Sequence, residues 1–243
     1  MRTPPFGRAL FDFFFPPKCP LCGENQGGRA EDRPCSACVS RIHFFSPPRC
    51  PRCGLGFASP AHPDHLCSEC LTEERFFTRA RAVCLYEGLI VEAISRFKYG
   101  RFTRLARPLG DFLAEYQDPE FSFSSLDLVL PVPLHPKRLR ERGFNQSLLL
   151  ARHFSHKHSI PLDITALYRS RPTQPQTQLS GPERQTNVRG AFEVRKPEAV
   201  AKKRVLLIDD VFTTGATIRE CAKVLLHAGA KQVDVLTLAR VSA

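Results

Sequence analysis

The sequence predicts an α/β fold, a parallel sheet with helices on both faces preceded by a small zinc-ribbon domain. Three observations carry this. Eight of the ten cysteines lie between Cys19 and Cys70, in four Cys-x-x-Cys pairs. From residue 126 onward, short apolar runs alternate with helical stretches across brief connections, as in a parallel sheet covered by helices. The chain has 243 residues and 42% hydrophobic content, enough to bury a core and too much for global disorder.

No run approaches the ~20 apolar residues that would span a bilayer, so no membrane insertion is expected. Leu10 to Phe15 is interrupted by Asp12 and is too short for a signal-peptide core. A cytoplasmic protein is the expectation, and there paired cysteines bind metal more often than they form disulfides.

The first element is a duplication. Pro16-Pro17-Lys18-Cys19-Pro20-Leu21-Cys22-Gly23 recurs as Pro47-Pro48-Arg49-Cys50-Pro51-Arg52-Cys53-Gly54, and Cys35-Ser36-Ala37-Cys38 recurs as Cys67-Ser68-Glu69-Cys70. Residues 1–75 therefore read as a double zinc ribbon. Cys19, Cys22, Cys35 and Cys38 would hold one Zn²⁺, and Cys50, Cys53, Cys67 and Cys70 a second. Four thiolates leave no open coordination position, so both ions are expected to be structural. Gly23 and Gly54 follow the second cysteine of their knuckles, where a tight turn calls for positive φ. So small a segment cannot stabilise itself by burial, whereas structural zinc contributes roughly 10–16 kcal/mol in zinc-finger peptides.

Disulfides and an iron–sulfur cluster are the competing uses of these cysteines, and His62 and His65 are substitute ligands. Pairing within each repeat is expected, with a cross-braced arrangement as the alternative. Two such sites, each carrying a net −2, bring the formal charge from +11 to +7. The protein stays basic, which favours polyanionic partners. Cys84 and Cys221 stand alone in apolar surroundings and read as small buried hydrophobes.

Residues 76–125 form a linking region that packs on the sheet or becomes part of it. Ala80 to Tyr86 reads as a strand, Leu89 to Tyr99 as a helix, and Phe102 to Tyr116 as a further helix before a loop. Arg101, Arg104 and Arg107 recur every three residues after Arg96 and Lys98, and Arg138, Arg140 and Arg142 form a second basic cluster. Phe97, Tyr99, Phe102 and Phe144 lie among them, a combination suited to phosphate contact and base stacking on single-stranded nucleic acid. The alternative is a solvated helix face above core aromatics, with part of the second cluster serving a phosphate ligand.

Residues 126–243 form the main domain. Leu126 to Leu130 reads as a buried strand ending at Pro131-Val132-Pro133, followed by a polar, basic turn and a helix from Asn145 through His156. Val205 to Ile208 is a second strand, Ile218 to Ala228 a helix stopped by Gly229, and Val233 to Ala239 a third strand. Ligands of such sheets sit at the carboxyl ends of the strands, so the turn after Ile208 is the place for chemistry. Thr213, Thr214, Gly215 and Thr217 fall at a helix N-terminus, where free N–H groups favour an anion such as phosphate. Asp209 and Asp210 just upstream can accept from vicinal hydroxyls or orient hydrated Mg²⁺. Phosphate grip plus diol acceptors describes a ribose 5-phosphate pocket. A Walker B strand lacks its partner motif here, since no GxxxxGK[ST] occurs. A phosphoacceptor aspartate and a simple acidic helix cap are the remaining alternatives.

Val205-Leu206-Leu207-Ile208-Asp209-Asp210-Val211-Phe212-Thr213-Thr214-Gly215-Ala216-Thr217 resembles the phosphoribosyl pyrophosphate (PRPP) signature of type I phosphoribosyltransferases. Arg140-Glu141-Arg142-Gly143-Phe144-Asn145-Gln146-Ser147, the paired knuckles upstream, and Lys98-Tyr99-Gly100 after Tyr86-Glu87-Gly88 resemble the ComF family of competence-related proteins, over essentially the whole chain.

The resemblance implies a type I phosphoribosyltransferase-like sheet and two structural zinc ions, with Mg²⁺ accompanying PRPP. It implies that Asp209 and Asp210 meet the ribose hydroxyls, directly or through Mg²⁺ and water. Thr213, Thr214, Gly215, Ala216 and Thr217 would cradle the 5′-phosphate. Leu134, His135, Pro136, Lys137 and Arg138 would face pyrophosphate, and the polar segment from Thr173 to Asn187 would be a mobile loop closing over the reaction. Thr213 stands where purine-salvage members carry an Asp, which removes the easiest argument for a purine acceptor. Two functions follow. One is phosphoribosyl transfer to a nitrogenous acceptor. The other is non-catalytic handling of single-stranded DNA in natural competence, alongside other competence proteins, with the PRPP site as a sensor or relic.

Overall fold

The computed structural model describes residues 16–26, 33–57, 59, 63–100, 102–173 and 181–242, with the backbone alone at 181, 182, 184 and 185. The cysteine-rich segment carries two single-turn helices, α1 (Ser36–Val39) and α2 (Ser68–Thr72). Next come strand β1 (Arg79–Leu85) and helices α3 (Gly88–Tyr99) and α4 (Ala106–Glu115). Strand β2 (Leu128–Pro131) leads into α5 (Pro136–Arg142) and α6 (Gln146–His158). Strand β3 (Leu167–Arg169), α7 (Gly181–Val188), β4 (Phe192–Val194) and α8 (Pro197–Val200) precede the closing unit of β5 (Arg204–Phe212), α9 (Ala216–His227) and β6 (Gln232–Arg240).

The sheet is parallel throughout, in the order β1-β6-β5-β2. Its interior strands β5 and β6 are mostly apolar on both faces because both faces are covered, though β6 also buries Asp234 and Thr237. The registers Val205↔Val233, Leu207↔Val235, Leu128↔Val205 and Leu130↔Leu207 put these residues on one face with α9. Leu206, Ile208, Leu236, Leu238 and Val129 face the other way, toward α3, α4 and α6. On α3 the buried residues Leu89, Ile90, Ala93, Ile94 and Phe97 form one stripe. The pairing of α4 with α6 requires Gly110, where a Cβ would come within 2.8 Å of His153 Cβ.

The linking region thus supplies the edge strand β1, hydrogen-bonded along β6. The two ribbons straddle that edge. Cys19, Leu21, Cys38 and Ile42 join the core with α3, whereas Cys50, Cys53, Cys67 and Cys70 join the core with α9. Between them the backbone at 43–45 pairs antiparallel with β1. Phe45 N–H donates to the Val83 carbonyl at 2.9 Å and Leu85 N–H to that of His43 at 2.8 Å, so the edge is capped rather than left open. A buried ionic cluster fastens the second ribbon from beneath. Arg81 Nε and Arg49 Nη2 both donate to Asp118 Oδ2, at 2.6 and 2.8 Å, and Arg81 Nη1 donates to the Pro51 carbonyl at 2.9 Å.

Three expectations are corrected. The basic turn after β2 is the helix α5, hidden by its polar composition but bracketed by Pro136 at its first position and Gly143 at φ +86. The expected helix from Phe102 begins as a 3₁₀ turn at Thr103–Leu105, and α4 starts only at Ala106. Strand β5 does not stop at Ile208, because Asp209↔Thr237 and Phe212↔Arg240 still pair with β6. Cys84 and Cys221 are buried among apolar neighbours, and burial pushes the Cys84 thiol up to about 12. No helix among the described residues is long and apolar enough to cross a membrane.

Candidate functional site

At the carboxyl ends of β2 and β5, a cavity of about 610 Å³ lies between α5, the first turns of α6 and α9, and the last turn of α3. This is where parallel α/β sheets place their ligands.

The acidic pair forms the floor. Asp209 Oδ1 accepts from the Ser147 hydroxyl at 2.7 Å and from the Asp210 N–H at 2.9 Å. Burial pushes the Asp209 carboxyl up to about 7; the neighbouring Asp210 carboxylate adds to the rise, and Ser147 and Lys98 oppose it. Asp210 is 4% exposed, and its Oδ2 lies 2.7 Å from the Lys98 ammonium. Burial works to lower the Lys98 pKa, but Asp210 and then Asp209 outweigh it and the net shift is upward.

Beyond the acids the chain turns sharply. Gly215 caps α9 with φ +73, and a Cβ there would come within 2.5 Å of the Phe212 ring. Thr213 and Thr217 line the cavity, whereas Thr214, Gly215 and Ala216 are not among its lining residues. Thr214 Oγ1 instead accepts a long hydrogen bond from the Ala216 N–H at 3.5 Å, just ahead of the helix.

The opposite wall is cationic. His135, Lys137 and Arg138 line it from α5 and the residue before it. His135 Nδ1 accepts from the Lys137 N–H at 3.2 Å, and Arg138 pairs with Glu141 at 2.9 Å. Arg142 lies over the Tyr99 ring at 5.2 Å and donates to Gln146 Oε1 at 2.6 Å. Arg169, from the small two-stranded β3–β4 sheet, donates to the Thr173 hydroxyl, while its buried Nε has no hydrogen-bond partner among the described residues. Carboxylates and threonines on one side and cations on the other suit a ligand carrying hydroxyls between anionic groups.

Sequence reasoning missed Ser147, Arg169, Tyr86 and Tyr99 as lining residues. Ser147 and Tyr86 fell within motifs whose spacing was noted, but Arg169 left no local signal. The proposed nucleic-acid stripe divides. Lys98 and Arg142 face the cavity rather than an outer stripe, which is a correction. Successive helix residues rotate by ~100°, so Arg96 and Lys98 cannot share a face. Arg96 instead donates to the Leu21 carbonyl of the first ribbon at 2.6 Å and lies 4.9 Å over the Phe102 ring. Arg104, Arg107 and Arg140 are exposed. Arg101 lies outside the described residues, as do 174–180 of the segment expected to be a mobile loop; its later part from Gly181 is helical.

The cysteines gather into two clusters paired within each repeat, Cys19, Cys22, Cys35 and Cys38 in one and Cys50, Cys53, Cys67 and Cys70 in the other, with all sulfurs of a cluster within 4.8 Å. Neighbouring sulfurs are 3.8 Å apart for Cys19–Cys38, 3.9 Å for Cys22–Cys35 and 3.6 Å for Cys53–Cys67. Tetrahedral zinc with bonds of ~2.3 Å sets such sulfurs about 3.8 Å apart, so both donor sets fit the ion. The knuckle turns are formed by Gly23 at φ +80 and Gly54 at φ +72. His65 stacks on Phe57 at 3.9 Å rather than joining the second cluster, and His62 lies outside the described residues.

The double zinc ribbon domain model matches residues 10–71, and the phosphoribosyl transferase domain model matches residues 144–243. Competence protein F of Haemophilus influenzae is 31% identical over 235 residues, 93% of this chain and 98% of that protein. DNA utilization protein YhgH of Escherichia coli K12 is 34% identical over 185 residues, 74% of this chain and 81% of that one. Among solved structures, glutamine PRPP amidotransferase from B. subtilis superposes with a TM-score of 0.38 at 26% identity, over 54% of this chain and 25% of that one.

Proposed function

This chain belongs to the ComF family of competence-related proteins, a double zinc ribbon joined to a phosphoribosyltransferase domain, and from that premise we propose that its cavity binds PRPP with Mg²⁺ and serves phosphoribosyl transfer to a nitrogenous acceptor. The observation that carries the reading is the convergence of Asp209, Asp210, Thr213 and Thr217 with Lys137, Arg138 and Arg169 on one cavity.

In this reading the carboxylates of Asp209 and Asp210 accept from the ribose 2′ and 3′ hydroxyls. Thr213, Thr217 and the N–H groups at the start of α9 hold the 5′-phosphate. The α5 cations and Arg169 take the pyrophosphate, stabilising the charge that grows on it as the C1′–O bond breaks. The C1′–N bond then forms, and the proton given up by the acceptor nitrogen passes to the departing pyrophosphate or to water. Mg²⁺ would supply further charge neutralisation on the diphosphate. Each four-cysteine cluster would give a zinc ion a full thiolate shell, so zinc there would serve structure.

Calorimetry of the zinc-replete protein with PRPP, with and without Mg²⁺, tests the reading against Asp209→Ala/Asp210→Ala. Binding that the double variant loses while keeping its zinc and fold is the expected result; a folded wild type that binds no PRPP sinks it. Acceptor-dependent pyrophosphate release, screened over bases and amines, separates an enzyme from a binder.

A second reading has its own observation. Tyr99 and Phe102 are 59% and 48% exposed; Tyr99 lines the cavity with Arg142 over its ring, and Phe102 lies outside it beneath Arg96. Such paired platforms suit bases of single-stranded DNA, in keeping with relatives named for competence and DNA utilization. Tyr99→Ala/Phe102→Ala should weaken oligonucleotide binding, which should also fall with salt; no salt-dependent binding by the wild type would end this reading.

A further inference from the structure

The contact between Lys98 and Asp210 joins the linking region to the centre of the cavity. Lys98 sits in the last turn of α3, where unpaired carbonyls favour a cation. Its aim is fixed by its neighbours. Phe97 is fully buried and packs on Phe144 with centroids 5.6 Å apart, and Tyr99 lies under Arg142. The buried Phe97 fixes the phase of this last turn, and Nζ lies 2.7 Å from Asp210 Oδ2. The two side chains are 19% and 5% exposed, so their charges meet largely out of water. A second cation beside the same carboxylate would meet the ammonium's repulsion with little solvent screening.

We propose that Lys98 is the resident counter-cation of the acidic pair: it fills the place beside Asp210 that a divalent ion would otherwise take, so a phosphorylated ribose meets carboxylates already half neutralised. Divalent metal then enters only with the ligand's own phosphates. For its ligand this inference rests on the phosphoribosyl reading; for the ion pair it does not.

The first test uses metal alone. Mn²⁺ is titrated into the full, zinc-replete chain and followed by electron paramagnetic resonance, for wild type and Lys98→Gln. Removing the ammonium should raise Mn²⁺ affinity at least about tenfold. Lys98→Arg should retain wild-type behaviour, and Lys98→Gln/Asp210→Asn should lose the gain. An unchanged Mn²⁺ affinity in a Lys98→Gln protein with both zinc ions bound overturns the proposal, whether or not its Tm drops, because a purely structural pin would alter stability alone.

The second test is calorimetry of the zinc-replete chain with ribose 5-phosphate in buffer cleared of free divalent metal by a chelating resin, with no chelator in solution. Wild type should bind, and Lys98→Gln should bind only when Mg²⁺ is restored; metal-independent binding by both at equal affinity would also overturn the proposal. A wild type that binds no phosphoribosyl ligand under any condition defeats the functional reading, and the Mn²⁺ comparison still decides the role of Lys98.

Discussion

The Arg240 guanidinium lies 4.2 Å over the ring of Phe212. The same group donates to the Cys53 carbonyl at 2.7 Å and approaches Cys53 Sγ to 3.7 Å. Phe212, in turn, fills the space that a side chain at position 215 would need. These contacts run in series from the second cysteine cluster to the turn between β5 and α9, so the ribbon buttresses the candidate phosphate turn across the end of the sheet.

Arg240→Met should therefore weaken PRPP binding about tenfold while zinc content remains at two per chain. The substitution keeps the apolar stem but removes hydrogen bonds from a buried charged group, worth about 1.5–3 kcal/mol. Calorimetry beside zinc analysis checks it. Unaltered PRPP affinity in the variant would show that the turn holds its shape without the ribbon.

Gly215→Ala probes the turn from the other side. At φ +73 an alanine costs about 1 kcal/mol from the backbone alone, and its Cβ would lie 2.5 Å from Phe212 Cζ. A lowered Tm and lost PRPP binding are expected. Adding Phe212→Leu should recover part of the stability by relieving the overlap, but not the part set by φ. No recovery in the double variant would place the whole cost in the backbone.

How much of this was legible beforehand depended on whether direction or only periodicity was needed. Strands β5 and β6 could be read because Val205 to Ile208 is apolar on both faces and Val233 to Ala239 is interrupted only by Asp234 and Thr237. The cysteine clusters were legible because the duplication fixes ligand type and order. Helix α5 was obscured because Lys137, Arg138, Arg140 and Arg142 have no apolar stripe among them, and its helicity rests on Pro136 and Gly143. Lys98 could be counted among the cations, but its inward aim depends on Phe97 meeting Phe144, a contact between distant segments. The antiparallel cap on β1 likewise comes from residues 43–45, a stretch too short to read as a strand before its partner is known.

The two zinc sites should differ in lability. Cys22 is exposed and Cys35 half-buried in the first cluster, whereas all four ligands of the second are at most 5% exposed and share the core with α9. A chelator titration followed by native mass spectrometry should show the first zinc leaving before the second. Cys22→Ser should lose one zinc with a small change in Tm, and Cys50→Ser one zinc with a large one. Release of the second ion first would contradict this order, and an unchanged zinc stoichiometry in Cys50→Ser would refute the ligand assignment.

Asp118 gives the fold a marked sensitivity to acid. Burial of the carboxyl works to raise its pKa, but the Glu120 N–H and the guanidinium groups of Arg81 and Arg49 outweigh it, and the net shift is downward. A carboxyl with a depressed folded pKa contributes stability that is present above its unfolded pKa, near 4, and lost as pH falls through the folded value. Wild-type stability should therefore be insensitive to this group from neutrality to about pH 4 and decline below. Asp118→Asn leaves Arg81, whose side chain is fully buried, with only the largely exposed Glu120 carboxylate, 3.1 Å away, as counter-charge. Breaking a buried pair in this way costs about 3–5 kcal/mol. Urea melts of both proteins between pH 7 and pH 2.5 measure the difference, which should be largest at neutral pH and shrink as wild-type Asp118 protonates. A constant difference across that range would show that Asp118 acts through hydrogen-bond geometry alone, without its charge.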